Sequence, residues 1–204
     1  MSFYREVIFP HLCDRVMRNK LFRPYRERVT RRAEGRVLEI GVGSGLNLPL
    51  YGSGVTEVVA LEPDGRLSAM AKRKAAKAHR PVSFLRASAE TIPLDDASVD
   101  SVVTTWTLCS IPDAYGALHE IRRVLKPNGR LHFVEHGLAP ETGVQKWQNR
   151  LTPMWKKVGG GCHLNRSIAA MIEGGGFKLD QLDTGYVPGP RFAGFLYEGS
   201  ARPR

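Results

Sequence analysis

Apolar positions near the N-terminus recur at three-and-four spacing. Phe9, Leu12, Cys13, Val16 and Met17 fall on one stripe, while Asp14, Arg15, Arg18 and Asn19 point elsewhere. The pattern predicts a helical segment over the first 33 residues, broken once at Pro24 and resumed for a turn or two over Tyr25–Arg32. From Arg36 the period changes. Short apolar runs at Val37–Ile40, Val58–Leu61, Val82–Leu85, Val99–Trp106 and Arg130–Glu135 read as strands. Helical patterns separate them at about Leu67–His79 and at Ala114–Leu125, the latter closed by Pro127-Asn128-Gly129. A less regular stretch follows, then a helix near Ile168–Glu173 closed by three glycines. Two alternating runs, Lys178–Thr184 and Phe192–Glu198, are joined by Pro188-Gly189-Pro190. Alternating strands and helices imply a parallel sheet with crossovers.

At 204 residues the chain fits one domain, divided into a helical extension or lid over residues 1–34 and a main domain over residues 35–204. Its 42% hydrophobic and 25% charged content is that of a soluble globular protein, and no apolar run approaches the roughly 20 residues that cross a bilayer. Neither export nor spanning is expected. Cys13, Cys109 and Cys162 are odd in number, far apart in sequence and without a CxxC pair, so they suggest neither a disulfide framework nor a zinc cage, and no metal is expected. A reducing cytoplasm suits them. The net charge of +10 changes the picture of partners. Residues 1–35 carry nine basic side chains against four acids, and Lys72, Arg73, Lys74, Lys77 and Arg80 add a second cluster. These are either solvated helix faces or a contact for an anionic surface, phospholipid or nucleic acid.

The candidate chemistry lies where the first strand ends. Glu39-Ile40-Gly41-Val42-Gly43-Ser44-Gly45 closes it with a glycine-rich turn at the sheet edge where open α/β folds bind ligands. The dinucleotide pattern G-x-G-x-x-G would place glycine at Leu46, which disfavours pyrophosphate binding. Glu39, two residues before the first glycine, is placed to order the loop or a cation beside it. Glu62 ends the second strand, where a carboxylate accepts ribose hydroxyls.

Here a resemblance becomes specific. Glu39–Gly45 resembles motif I of class I S-adenosylmethionine-dependent methyltransferases, and Leu61-Glu62-Pro63-Asp64 resembles that family's ribose-binding acidic loop. Ser88-Ala89-Glu90-Thr91-Ile92-Pro93-Leu94 with Val99–Val103 is similar to the adenine loop and fourth strand, and Leu118–Pro127 with Gly129 to the helix-LKPGG-strand segment. The resemblance implies an α/β, Rossmann-like fold: a seven-stranded, mostly parallel sheet with a final antiparallel strand and an N-terminal helical extension. It implies S-adenosyl-L-methionine as cofactor and S-adenosyl-L-homocysteine as product. The cofactor-binding residues implied are Glu39, Gly41, Gly43, Gly45, Asn47, Glu62, Pro63, Ser88, Ala89, Glu90 and Thr105. Ser88 stands where the family usually has Asp, so Ser88, Glu90 or backbone makes the adenine contact.

Two subgroups look nearest. Thr105–Ser110, Val134-Glu135-His136 and Gly161–Arg166 resemble a methyltransferase-like group with microsomal thiol S-methyltransferases. Phe3–Pro10 and Asn47–Tyr51 resemble bacterial phosphatidylethanolamine N-methyltransferases. The acceptor expected is therefore a small molecule or lipid: a thiol, a phosphatidylethanolamine-type amine or a quinol precursor. Residues past the fourth and fifth strands face the methyl group in this fold, which makes Trp106, His136 and, second, His163 the catalytic candidates, with His136 the preferred base. Trp147, Met154 and Trp155 are expected to pack under a substrate-side cap. The alternatives are an RNA methyltransferase, unsupported by any base-stacking module or NPPY-type sequence, and a non-catalytic S-adenosylmethionine-binding protein.

Overall fold

The computed structural model describes residues 3–204. Seven strands, β1 (Gly35–Ile40), β2 (Val55–Leu61), β3 (Val82–Leu85), β4 (Val99–Thr105), β5 (Leu125–His136), β6 (Phe177–Tyr186) and β7 (Phe195–Pro203), form one sheet in the order β3-β2-β1-β4-β5-β7-β6. Strands β1 to β5 run parallel, and β7 inserts antiparallel between β5 and β6. This is the seven-stranded Rossmann-like sheet with one final antiparallel strand that the family resemblance implied. Strand order reverses between β1 and β4, which opens the ligand crevice at the carboxyl ends of those two strands.

Helices α1 (Phe9–Met17), α2 (Arg23–Arg31), α3 (Gly65–Ala75), α4 (Ala114–Val124), α5 (Thr142–Val158), α6 (Ile168–Gly174) and the single turn α7 (Arg191–Gly194) surround the sheet. Alternate residues of the central strands feed two apolar layers. Leu38, Val102 and Phe133 pack with Leu118 and Ile121 of α4 and Ile168 of α6. Val37, Val103 and Val134 face the other way, with Val29 of α2 and Ala71 of α3. Burial on both faces explains why these strands read as continuous apolar runs rather than as alternation.

Several expectations need correction. Pro24 does not break a helix in progress: α1 stops at Met17, and Pro24 sits in the first turn of α2, where its missing N–H leaves no bond unmade. The irregular stretch after β5 contains the 17-residue α5, hidden because Pro153 interrupts it and because Trp147 and Met154, expected beneath a cap, are 57% and 64% exposed. Trp155 alone packs inward, edge-on to Phe192 at 6.0 Å. Phe192 belongs to the α7 turn rather than to the last strand, which starts at Phe195. Residues 126–129 loop out of the β4–β5 ladder, whose register jumps from Val99–Leu125 to Ser101–Arg130.

The α1 stripe is also divided. Leu12 and Val16, with Ile8 one turn earlier, are 45%, 52% and 45% exposed, whereas Asp14 is buried. Asp14 turns inward because it accepts from Lys74 Nζ of α3 at 2.8 Å and pairs with Arg18 at 2.6 Å. Two cations outweigh the burial of a few apolar side chains in setting this helix's rotation.

Candidate active site

Glycines with positive φ shape the turn after β1: Gly41 at +65°, Gly43 at +54° and Gly45 at +80°. The turn is pinned to β2, because the N–H groups of Gly41 and Val42 both donate to the Leu61 carbonyl, at 2.9 and 3.1 Å. A Cβ on Gly45 would press on Ala71 of α3 at 2.9 Å, whereas one on Gly43 would face open space, with nothing nearer than 3.8 Å. Gly45 therefore serves packing, and Gly43 leaves room for a ligand.

Glu62, buried at the end of β2, holds that room open. One carboxylate oxygen accepts from Gly43 N–H at 2.9 Å and the other from Asp64 N–H at 3.0 Å. Burial raises its pKa, opposed by those two backbone donors. Each oxygen keeps a lone pair for a further donor, as two ribose hydroxyls require. Pro63 is exposed beside it, and Asp64 caps α3 by accepting from Arg66 and Leu67 N–H.

Glu39 has a different place from Glu62. It is fully enclosed, accepting from Asn47 Nδ2 at 2.9 Å and from the Tyr51 hydroxyl at 2.8 Å, so it braces the loop. Burial pushes it up to about 7 against these donors and Arg26. Asn47 also donates to Thr105 Oγ1 at 3.1 Å, and its own Oδ1 accepts from Arg26 Nη1 at 2.9 Å. Arg26, pulled down to about 10 chiefly by burial, has its Nε buried without a partner. The residues expected to form the adenine loop lie after β3. Ser88 Oγ donates to Glu90 at 2.9 Å, the other Glu90 oxygen accepts from Asp113 N–H, and Ala89 is buried in the core.

The catalytic candidates separate into two groups. Trp106, with φ at +52°, packs under the N-terminal segment, 5.0 Å from Phe22 and 4.8 Å beneath the Arg26 guanidinium. His136, at the end of β5, stands 2.9 Å from Cys162 Sγ through Nε2. His163 braces the same place: its N–H donates to the Cys109 carbonyl at 2.8 Å, with Nδ1 3.1 Å from that oxygen. The sequence separation of the cysteines was misleading, because the turn after β4 and the loop after α5 bring Cys109 and Cys162 together around His136. The Cys162 thiol is pulled down by its bond from Cys109 and then by His136, and the Cys109 thiol is pushed up by the same bond. Burial pulls His136 down most strongly of any single influence, but the Cys162 bond together with the charges of Cys162 and Glu135 outweighs it and raises the imidazole.

Helix α1 bridges the glycine loop and the Cys162 loop. Lys74 donates to Asp14 and, at 3.1 Å, to Ser44 of the glycine turn. At the other end Tyr4 donates to the Val158 carbonyl at 2.7 Å, and the Phe9 ring occupies the space a Cβ on Gly160 would need. Cys13 of α1 is pushed up to about 11, by burial first and the Glu62 carboxylate second. Sequence reasoning missed Arg26, Tyr51 and Cys109; Arg26 was hidden among nine basic residues with no spacing to single it out.

Open space at Gly43 and the available lone pairs of Glu62 fit a nucleoside's hydroxyls, and the unpartnered Arg26 Nε fits a carboxylate. Comparisons with known proteins agree. Residues 38–133 match the family described as a methyltransferase domain. The chain is 38% identical over 155 residues to thiol S-methyltransferase TMT1B of Rattus norvegicus, covering 74% of this chain and 63% of that protein, so it spans less than two thirds of this relative's length. It is 34% identical over 104 residues to phosphatidylethanolamine N-methyltransferase of Cereibacter sphaeroides, 50% of this chain and 51% of that one. The solved structure of a SAM-dependent methyltransferase from Aquifex aeolicus superposes with a TM-score of 0.67 at 18% identity, covering 96% of this chain and 98% of that one. Residues 38–133 thus match the methyltransferase-domain family, and the chain shares its fold with solved S-adenosylmethionine-dependent methyltransferases.

Proposed function

We propose that the chain transfers the methyl group of S-adenosylmethionine to the sulfur of a small apolar thiol. The observation that carries this reading is the set of groups beside the cofactor crevice: Cys109 just past β4, His136 ending β5, and Cys162 reaching over to His136 at 2.9 Å. Imidazole and thiols in contact make a place suited to hold sulfur and take its proton. The similarity to thiol S-methyltransferase TMT1B over 155 residues supports the same acceptor.

When bound, S-adenosylmethionine supplies a methyl group already activated on a sulfonium. Glu62 would hold the ribose hydroxyls, Gly43 would admit the cofactor's backbone-side edge, and Arg26 would face its carboxylate. The chain's remaining task is to position the acceptor and remove its proton, since alignment alone lowers a barrier by about 7–11 kcal/mol. Proton handling falls to the His136 cluster, and α1 excludes water from above. Glu39, Asn47, Tyr51 and Thr105 touch one another and keep the loop in shape.

An assay with methyl-labelled cofactor and a panel of alkanethiols, phosphatidylethanolamine and quinol precursors tests the reading. Label in the thioether product is expected; label confined to phosphatidylethanolamine contradicts it and favours the second reading, a phospholipid N-methyltransferase. That second reading draws on the outward face of α1, where Ile8, Leu12 and Val16 lie one turn apart and exposed, with Arg15, Arg18 and Lys20 beside them. For either acceptor, the same face is proposed to rest on an anionic membrane surface, to which an apolar stripe flanked by cations is complementary. Among the described residues no helix is long and apolar enough to cross a membrane.

A further inference from the structure

Methyl transfer to a thiol needs one proton acceptor, but the structure supplies a three-residue cluster. The sulfur atoms of Cys109 and Cys162 and a ring nitrogen of His136 all lie within 4.8 Å of one another. The residues are 1%, 9% and 7% exposed. Ligands around a tetrahedral ion at about 2.0–2.3 Å stand roughly 3.5–3.8 Å apart, so displacements of about 1 Å would close these three atoms on one ion. Two thiols and an imidazole form a set that selects zinc over magnesium or calcium. Among the described residues, the cluster contains no fourth His, Cys, Asp or Glu. Three protein ligands with a free position is the count of a catalytic zinc rather than a structural one.

The segments carrying these side chains are braced independently of any ion. Gly160 and Gly161, at φ +65° and +97°, turn the loop that delivers Cys162. Both His163 contacts to the Cys109 carbonyl, and the Arg166 guanidinium on the Leu108 carbonyl, join that loop to the turn after β4. His136 arrives on the end of a buried strand. Such bracing lowers the cost of ordering ligands when an ion binds.

We propose that Cys109, His136 and Cys162 bind one zinc ion and leave its fourth position to the acceptor's sulfur. The second half rests on the thiol reading above. On coordination the acceptor's S–H proton passes to solvent, because a thiol bound to zinc is deprotonated. A lone pair of that sulfur forms the new S–CH3 bond as the sulfonium–methyl bond of S-adenosylmethionine breaks, and S-adenosylhomocysteine leaves with that bond's electron pair. The product thioether is neutral and a poorer ligand than a thiolate, so it departs.

The test uses the full chain, chelator-treated under reducing conditions and titrated with cobalt(II), then with zinc. One equivalent of cobalt is expected, with thiolate-to-metal charge-transfer absorption that zinc abolishes and that shifts when a small alkanethiol is added. Cys162→Ser should weaken zinc binding by more than about 100-fold, beyond the roughly 10–100-fold of second-shell changes, while Cys13→Ser leaves it unaltered. Cys109 is fully enclosed, so the parent protein's cobalt spectrum tests that ligand without a variant that risks unfolding. Absence of the charge-transfer band, or unchanged zinc affinity in Cys162→Ser, overturns the site. Full-rate thiol methylation by metal-free protein overturns the role of the fourth position and leaves the thiol reading standing. A thiol-responsive metal spectrum without methylated product supports the site and contradicts that reading instead.

Discussion

The guanidinium of Arg26 lies 4.8 Å over the ring of Trp106, a residue whose φ of +52° is costly for any side chain but glycine. The stack joins α2 to the turn after β4, and Arg26 Nη1 continues inward to Asn47 and Thr105. Strain at Trp106 persists because several neighbours hold it: Phe22, Arg26 and a 2.8 Å bond from its N–H to the Val134 carbonyl.

Arg26→Ala should therefore lose both stability and cofactor affinity. Removing the donor leaves Asn47 Oδ1 unsatisfied in a buried place, which costs about 1–3 kcal/mol. Arg26→Lys keeps the charge but not the planar stack, and should recover only part of the loss. Urea midpoints and S-adenosylhomocysteine affinities for the three proteins check this; full rescue by lysine would contradict the stacking role.

The glycines of the turn should separate folding from binding. Gly43→Ala adds a methyl group into open space, so its structural cost is only the left-handed backbone, about 1–2 kcal/mol, while cofactor affinity falls steeply. Gly45→Ala presses on Ala71 at 2.9 Å and should displace α3, lowering the melting temperature more than Gly43→Ala does. Thermal melts with and without S-adenosylhomocysteine distinguish the two, and equal melting temperatures would count against the assignment.

Glu39 gives a pH signature. Its folded pKa is pushed up to about 7 from an ordinary 4.5, so the folded state holds a proton that the unfolded state has released between those values. Stability contributed this way is full below about 4.5 and is lost as pH rises through 7. The neutral Glu39→Gln lacks this loss, so the melting temperature of the parent relative to the variant should fall between pH 5 and pH 8. A constant offset across that window would contradict a buried, uptitrated carboxylate.

The exposed stripe of α1 should matter for membranes and not for folding. Replacing Ile8, Leu12 and Val16 with Ser removes apolar groups that are already 45–52% exposed, so stability should change by less than about 1 kcal/mol. Co-sedimentation with vesicles containing anionic phosphatidylglycerol should drop sharply, and the parent's binding should weaken as salt rises. Undiminished binding by the triple variant would remove this face as the contact.

The sheet was legible because central strands buried on both faces leave unbroken apolar runs, and Val82–Leu85 matches β3 at both ends. The glycine turn, to which Glu62 is hydrogen-bonded, was legible because a tight turn with positive φ needs glycines at fixed spacing. What escaped was set by tertiary contacts. Asp14 turned α1 around through Lys74, sixty residues away. Helix α5 was masked by Pro153 and by large apolar residues left in solvent. Cys109, His136 and Cys162 come from three separate segments, so no local motif announces them.

The proposed cofactor recognition turns on Glu62, and calorimetry with S-adenosylhomocysteine tests it most directly. The parent should bind one equivalent, and Glu62→Ala should bind roughly 10–150-fold more weakly, the loss of a charge-assisted hydrogen bond worth about 1.5–3 kcal/mol. No heat from the parent, or equal affinity in the variant, would contradict the account.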